Sequence, residues 1–183
     1  MLLLLACTHA PAERYLSYLW QDGNHYTVES REIPWLADPE TMQGALGRVQ
    51  SGGWFGLDGE SYSGGQPISV RYMVQKDTAI PLDKDGLLLY SFYGTLGDVR
   101  DWVEAQGIET DAIFPLPIAW NPAADLFLEL APADNAAYAT GLNLFVLLPD
   151  GGNRNVPLVA NRGVIGHEFG HAIFHLLTVG DPE

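Results

Sequence analysis

Polar and apolar positions in the first part of the chain follow the pattern of β-strands. Residues 15–20 are apolar and aromatic, Asp22-Gly23-Asn24 is a strong turn signal, and residues 25–32 alternate in character. This pattern predicts a β-hairpin, because Asp-Gly pairs favour the tight turns that join antiparallel strands. We also predict a short helix over residues 40–50 and a loop over the Gly- and Ser-rich residues 51–66.

Two stretches in the middle of the chain have different periods. Residues 69–75 alternate as a strand, and the continuous apolar run at residues 87–92 predicts a second, buried strand. Residues 95–106 instead have a helical period. The apolar positions that share one face of this predicted helix are Leu96, Val99, Trp102 and Val103.

The last third of the chain predicts strands and then a helix. Residues 112–120, 126–130 and 142–148 are apolar enough for strands. A helix is predicted over residues 161–178, because Asn161 is a good N-cap and Gly180 and Pro182 are stop signals. The expected fold is therefore α+β, with a mixed, mostly antiparallel sheet packed against the helices at 95–106 and 161–178.

A soft boundary near residues 76–86 divides the chain into unequal parts. Residues 1–13 are interpreted as a signal remnant and tether, residues 14–80 as a β-rich accessory or propeptide-like region, and residues 81–183 as the main lobe. The apolar fraction of 47% is that of a folding chain.

Charge excludes several classes of partner. The chain has a formal net charge of -14, and its nine basic residues form no cluster. A phosphate backbone or an anionic membrane surface would be repelled, so neither nucleic acid nor such a membrane is expected to bind. The acidity is typical of a soluble extracellular protein, and we expect a monomer.

The single cysteine, Cys7, follows the apolar residues 2–6. This arrangement resembles the lipobox of bacterial lipoproteins, in which the cysteine carries the lipid. The apolar run is shorter than the roughly 7–15 residues of a signal-peptide core, and no basic segment precedes it, so the true start is expected upstream. The resemblance implies lipidation at Cys7, possible membrane attachment through it, and a secreted or cell-surface location on a bacterial envelope.

The residues that carry chemistry lie in the last predicted helix, at His167-Glu168-Phe169-Gly170-His171. Residues four apart face the same side of a helix, so His167 and His171 present two imidazoles suited to two corners of a zinc tetrahedron. Glu168, one step round the helix, is placed to act as the general base on a water activated by the metal. The competing interpretation is a pair of core histidines satisfied by hydrogen bonds. His175 is predicted to have a supporting or capping role.

This motif, preceded by Val164-Ile165-Gly166, is similar to that of the zincin metallopeptidases. Phe174 and Leu177 stand where the metzincin branch has Gly and His, which disfavours that branch. The better match is the gluzincin branch, the thermolysin-like and fungalysin-like enzymes, and the resemblance covers residues 87–178. It extends to Asn135-Ala136-Ala137-Tyr138, which resembles the stretch that these enzymes place before an edge strand.

The resemblance implies a zincin-like N-terminal lobe over residues 81–183 and an endopeptidase that hydrolyses peptide bonds with Zn²⁺. Asn135 and Ala136 would bind the backbone of a peptide or protein substrate, and Tyr138 would line the cleft. Family members take their third zinc ligand from a later helix, whereas Asp181 and Glu183 are the only carboxylates after the motif helix. We therefore expect a C-terminally truncated chain with little activity alone. The alternatives are a non-catalytic surface lipoprotein, or binding module, on a zincin-like fold, and another zinc hydrolase that uses the same motif.

Overall fold

The computed structural model describes residues 12–23, 25–55, 61–124, 135–149 and 157–179. Cys7, the strand predicted at residues 126–130 and the two carboxylates after residue 179 lie outside these ranges. The described part of the chain contains two α-helices and three β-sheets, which confirms the prediction of an α+β fold with mixed sheets.

Fourteen strands are found among the described residues. They are β1 (Arg14–Asp22), β2 (His25–Arg31), β3 (Leu36–Asp38), β4 (Gln43–Gly44), β5 (Gly47–Ser51), β6 (Trp54–Phe55), β7 (Tyr62–Ser63), β8 (Gln66–Pro67), β9 (Tyr72–Gln75), β10 (Thr78–Pro81), β11 (Leu116–Trp120), β12 (Ala123–Ala124), β13 (Asn135–Ala139) and β14 (Leu144–Leu148). The helices are α1 (Lys84–Ala105) and α2 (Arg162–Val179), and short 3₁₀ turns lie at Thr140–Leu142 and Leu158–Ala160.

The largest sheet has the order β13-β14-β11-β5-β4-β3, with β8 also pairing with β5. Its centre is parallel, because β11 pairs in parallel with both β14 and β5. Its outer strands are antiparallel, and β13 forms one edge against β14. A second sheet has the order β2-β1-β10-β9, in which β1 and β2 form the predicted hairpin. The third, small sheet has the order β12-β6-β7.

Several local predictions are wrong, among them the loop over residues 51–66, where β6 and β7 lie. Residues 87–92 are the buried first half of α1 and do not form a strand. Residues 88–97 are buried on every side of the helix, so the sequence lacks the polar face that marks a helical period. Asp83 begins the helix, where its carboxylate accepts a hydrogen bond from the Gly86 N–H at 2.9 Å. Trp102, predicted on the inner face, is 59% exposed.

The predicted short helix over residues 40–50 is also absent, because this stretch forms the hairpin of β4 and β5. Gly47 turns the chain there with a φ of 147°, and a Cβ at this position would lie 2.0 Å from the Leu116 carbonyl oxygen. The close approach of β11 therefore requires glycine. The strand pairing outweighs the weak helical propensity of residues 40–50.

Strands from both sides of residue 80 share one sheet and one hydrophobic core. β5 comes from the predicted accessory region and pairs with β11 of the main lobe over residues 47–51 and 116–120. The core cluster includes Tyr15 of β1 and Phe169 of α2. The accessory or propeptide-like role of residues 14–80 stays a prediction.

A tight contact between α1 and the chain before β3 gives a test of this packing. An alanine Cβ at Gly97 would lie 2.2 Å from the Trp35 ring, so Gly97→Ala is expected to lower the free energy of unfolding by about 1–3 kcal/mol. The matched control is Gly170→Ala on α2, where a Cβ would meet no atom within 4 Å. Alanine there is expected to stabilise the helix by up to about 1 kcal/mol. Urea denaturation of both variants measures the difference, and equal losses would contradict the packing.

Neither helix in the described part of the chain combines the length and hydropathy that a membrane span requires.

Candidate functional site

Helix α2 begins where the sequence predicts. The Asn161 side-chain oxygen accepts hydrogen bonds from the N–H groups of Gly163, at 2.9 Å, and Val164, at 3.2 Å. These bonds satisfy two of the donors that every helix leaves free at its N-terminus. The N–H of Arg162 donates to the Tyr26 hydroxyl at 2.9 Å, which ties the start of α2 to β2.

The buried side of α2 fixes how the helix is rotated. Ile165, Phe169 and Ala172 are almost completely buried, and the Phe169 ring stacks on Phe114 with centroids 5.5 Å apart. These three positions recur at the helical period and face the core. Because His167 and His171 point away from that side, both imidazoles are exposed.

The two imidazoles lie side by side. The Nε2 atoms of His167 and His171 are 3.2 Å apart, and the ring planes cross at 88°. Two nitrogens bound to one tetrahedral zinc ion at its usual bond length are separated by about 3.3–3.4 Å. The spacing is compatible with two ligands of one zinc ion, and it equally allows one ring N–H to donate a hydrogen bond to the other nitrogen.

Glu168 lies beside this pair, and its side chain is half-buried. The potential ligand atoms of His167, Glu168 and His171 all lie within 4.8 Å of one another. One carboxylate oxygen of Glu168, Oε2, accepts a hydrogen bond of 2.9 Å from the main-chain N–H of Tyr138. No further His, Cys, Asp or Glu of the described ranges joins the cluster.

Strand β13 runs next to α2 and carries the other predicted site residues. Asn135 is half-buried, and Ala136 and Tyr138 are buried. The Asn135 side-chain oxygen accepts a hydrogen bond of 3.0 Å from the Ala136 N–H. Main-chain groups alternate between the two sides of a strand, so the N–H groups of Ala136 and Tyr138 both face away from β14.

Tyr138 thus contacts Glu168 through its main-chain N–H, while Asn135 and Ala136 lie further along the same strand. The Tyr138 side chain points into the core, where its ring packs edge-on against Phe145 with centroids 5.8 Å apart. Its role in lining a substrate cleft stays a prediction. Burial raises the pKa of the Tyr138 phenol, which keeps it protonated as a donor.

Asn143 is a residue of this region that sequence reasoning missed. Its side-chain oxygen accepts a hydrogen bond from the Tyr138 hydroxyl. Asn143 has left-handed backbone angles, φ 45° and ψ 49°, which asparagine tolerates better than most residues. The available signal was the Gly141-Leu142-Asn143 turn directly before an apolar strand.

His175 is half-buried and lies one turn after His171. It lines a small cavity with Tyr138 and Asn143, on the side of α2 that faces β13. It is not part of the cluster of potential metal ligands. A supporting role for His175 stays a prediction.

A groove on the other flank of α2 has aromatic walls. Trp20, Trp102 and Tyr26 line it together with Gly166 and Gly170 of α2, and its volume is about 560 Å³. The Arg162 guanidinium stacks over the Trp20 ring at 4.9 Å. The sequence predicted no site here.

Comparisons with protein-family models, with curated proteins and with solved structures found no match. A functional assignment for this chain therefore depends on its motif and on the geometry around α2.

Proposed function

We propose that this chain belongs to a zinc-dependent endopeptidase of the gluzincin branch of the zincins. His167 and His171 are the proposed zinc ligands, and Glu168 is the proposed general base. The observation that carries the proposal is the 3.2 Å separation of the two Nε2 atoms, with the Glu168 carboxylate beside them. A pair of core histidines, the competing interpretation, agrees poorly with two exposed imidazoles.

Each side chain has a distinct task in the proposed reaction. When bound, zinc would lower the pKa of water toward neutrality and polarise the carbonyl of the scissile bond. Glu168 accepts the proton released by the attacking water and delivers it to the leaving amine. The Tyr138 N–H bond leaves the second carboxylate oxygen of Glu168 without a partner among the described residues, so this oxygen can carry the proton.

The edge strand supports an extended peptide as the substrate. Among the described residues, β13 pairs with β14 alone, and a strand with one unpaired edge can accept an additional chain by main-chain hydrogen bonding. Asn135 and Ala136 are the proposed contacts with the substrate backbone. An incoming peptide would replace the Asn135 side chain as the partner of the Ala136 N–H.

The layout of the sheet supports the finer, zincin-like description of the fold. An antiparallel edge strand, β13, borders parallel strands, and the motif helix α2 packs directly against β13. The third protein ligand for zinc is proposed to lie outside the described residues. A tetrahedral catalytic site needs three protein ligands, and the described ranges offer His167 and His171 besides the base.

Zinc binding tests the proposal directly. The chain is expected to bind one zinc ion, and His167→Ala or His171→Ala is expected to weaken that affinity by more than about tenfold. The matched control is His175→Ala on the same helix, which is expected to retain zinc. Equilibrium dialysis followed by elemental analysis gives the measurement. Equal zinc content in all four proteins would contradict the assignment of the ligands.

A non-catalytic binding module is the second candidate function. The observation that favours it is the exposure of both imidazoles, combined with only two ligands besides the base in the described ranges. Such a module would bind zinc, and no form of the protein would cleave peptides. A surface lipoprotein anchored through Cys7, monomeric and without affinity for nucleic acid, is proposed under either function.

A further inference from the structure

We infer that β13 positions Glu168 through the main-chain N–H of Tyr138, and that the Tyr138–Asn143 pair holds this N–H in place. Tyr138 is a positioning residue in this scheme, because it acts on the reacting groups only through Glu168. The catalytic meaning of the inference rests on the proposed function. The hydrogen bond itself can be tested independently.

The direction of the Tyr138 N–H follows from the strand pairing. β13 and β14 are antiparallel, with Tyr138 opposite Phe145. Alternate residues of such a strand turn their N–H groups to opposite sides, so those of Ala137 and Ala139 face β14 while that of Tyr138 faces α2. The Tyr138 N–H therefore lies outside the β13–β14 pairing, and Glu168 Oε2 accepts its hydrogen bond at 2.9 Å.

A half-buried glutamate needs such a partner to hold one orientation. Its side chain has several rotatable bonds, and confining it to one rotamer costs conformational entropy. A hydrogen bond from an N–H to a charged carboxylate is stronger than one between two neutral groups. The Tyr138 N–H also has a fixed direction, because β13 is paired with β14. The result is a Glu168 carboxylate held beside the two imidazoles, with its potential ligand oxygen within 4.8 Å of their nitrogens.

The Tyr138 side chain holds the strand at this residue. It is only 9% exposed, its ring packs against Phe145, and its hydroxyl donates to Asn143. Asn143 follows the 3₁₀ turn that connects β13 to β14. The Tyr138–Asn143 hydrogen bond thus ties the end of β13 to the turn that follows it. This bond limits the movement of the Tyr138 N–H that contacts Glu168.

Hydrogen exchange of the Tyr138 amide, followed by NMR on the full chain, tests the bond without any need for activity. Glu168→Ala is expected to speed exchange of this amide by about tenfold or more, since it removes the acceptor. Glu168→Gln is expected to restore protection, because the amide oxygen of Gln still accepts. The Ala137 amide, which faces β14, is the internal control and should not change. Unchanged exchange at Tyr138 in Glu168→Ala would overturn the inference.

Kinetics on a form of the protein that cleaves peptides tests the positioning role. Tyr138→Phe removes only the hydroxyl that donates to Asn143, and it is expected to lower kcat severalfold with little change in KM. The matched control is Tyr90→Phe, which removes a buried hydroxyl bonded to the Pro39 carbonyl and is expected to leave kcat unchanged. Equal loss in both variants would mean a general structural effect and overturn the positioning role. If no form of the protein cleaved peptides, the proposed function would be contradicted, and the exchange result would still decide the bond.

Discussion

Glu168→Gln is expected to reduce peptide hydrolysis by about 10²–10⁴-fold while zinc content stays unchanged. Glutamine has the same shape and can still accept the Tyr138 N–H, so the helix and the edge strand should be undisturbed. It cannot accept the proton of an attacking water. The loss should therefore appear in kcat, with KM nearly constant.

The measurement uses a fluorogenic peptide library and a form of the protein with measurable cleavage, with zinc determined on the same samples. Glu29→Gln is the matched control, because Glu29 is an exposed glutamate of β2, far along the chain from the motif. It should leave the rate unchanged. If Glu168→Gln retained full activity, the general base would have to be another residue, and the proposed roles within the motif would be wrong.

Phe169→Ala is expected to lower the free energy of unfolding by about 3–5 kcal/mol. Phe169 lies within the motif but faces the core, where it is 0% exposed and stacks on Phe114. Its truncation removes a large buried side chain and leaves a cavity beneath the two histidines. The helix that carries the site would then lose its main anchor, so zinc affinity should fall together with stability.

Phe174→Ala on the same helix is the matched control. Phe174 is 67% exposed, so its removal should change the free energy of unfolding by no more than about 0.5 kcal/mol. Urea denaturation of both variants gives the comparison. A similar loss in the two would show that α2 does not direct Phe169 into the core and Phe174 to the solvent.

Much of the site could be predicted from local sequence. The histidines of the motif are four residues apart, and helical geometry alone places them on one face. Asn161 as a cap and the apolar residues around the motif predicted α2, which spans Arg162–Val179. The hairpin of β1 and β2 was equally accessible, because its turn chemistry and alternating pattern are local signals.

Other features depended on contacts between distant parts of the chain. Residues 87–92 have no amphipathic period because residues 88–97 of α1 are buried on every side, and a buried helix then resembles a buried strand in sequence. Residues 40–50 became a hairpin because β5 pairs with β11, about seventy residues later in the chain. Such pairing has no signature within the segment itself.

The sequence by itself determined the identity of the proposed reactive side chains, their spacing on one helix and the α+β character of the chain. These properties follow from residue chemistry and helical repeat, which need no long-range contact. Only the tertiary structure decided that β13 lies at the edge of the described sheet and that the Tyr138 N–H donates to Glu168, thirty residues away. It also decided that the Tyr138 hydroxyl donates to Asn143. The physical reason is that main-chain groups have the same chemistry at every residue, so their partners are selected by the packing of the fold.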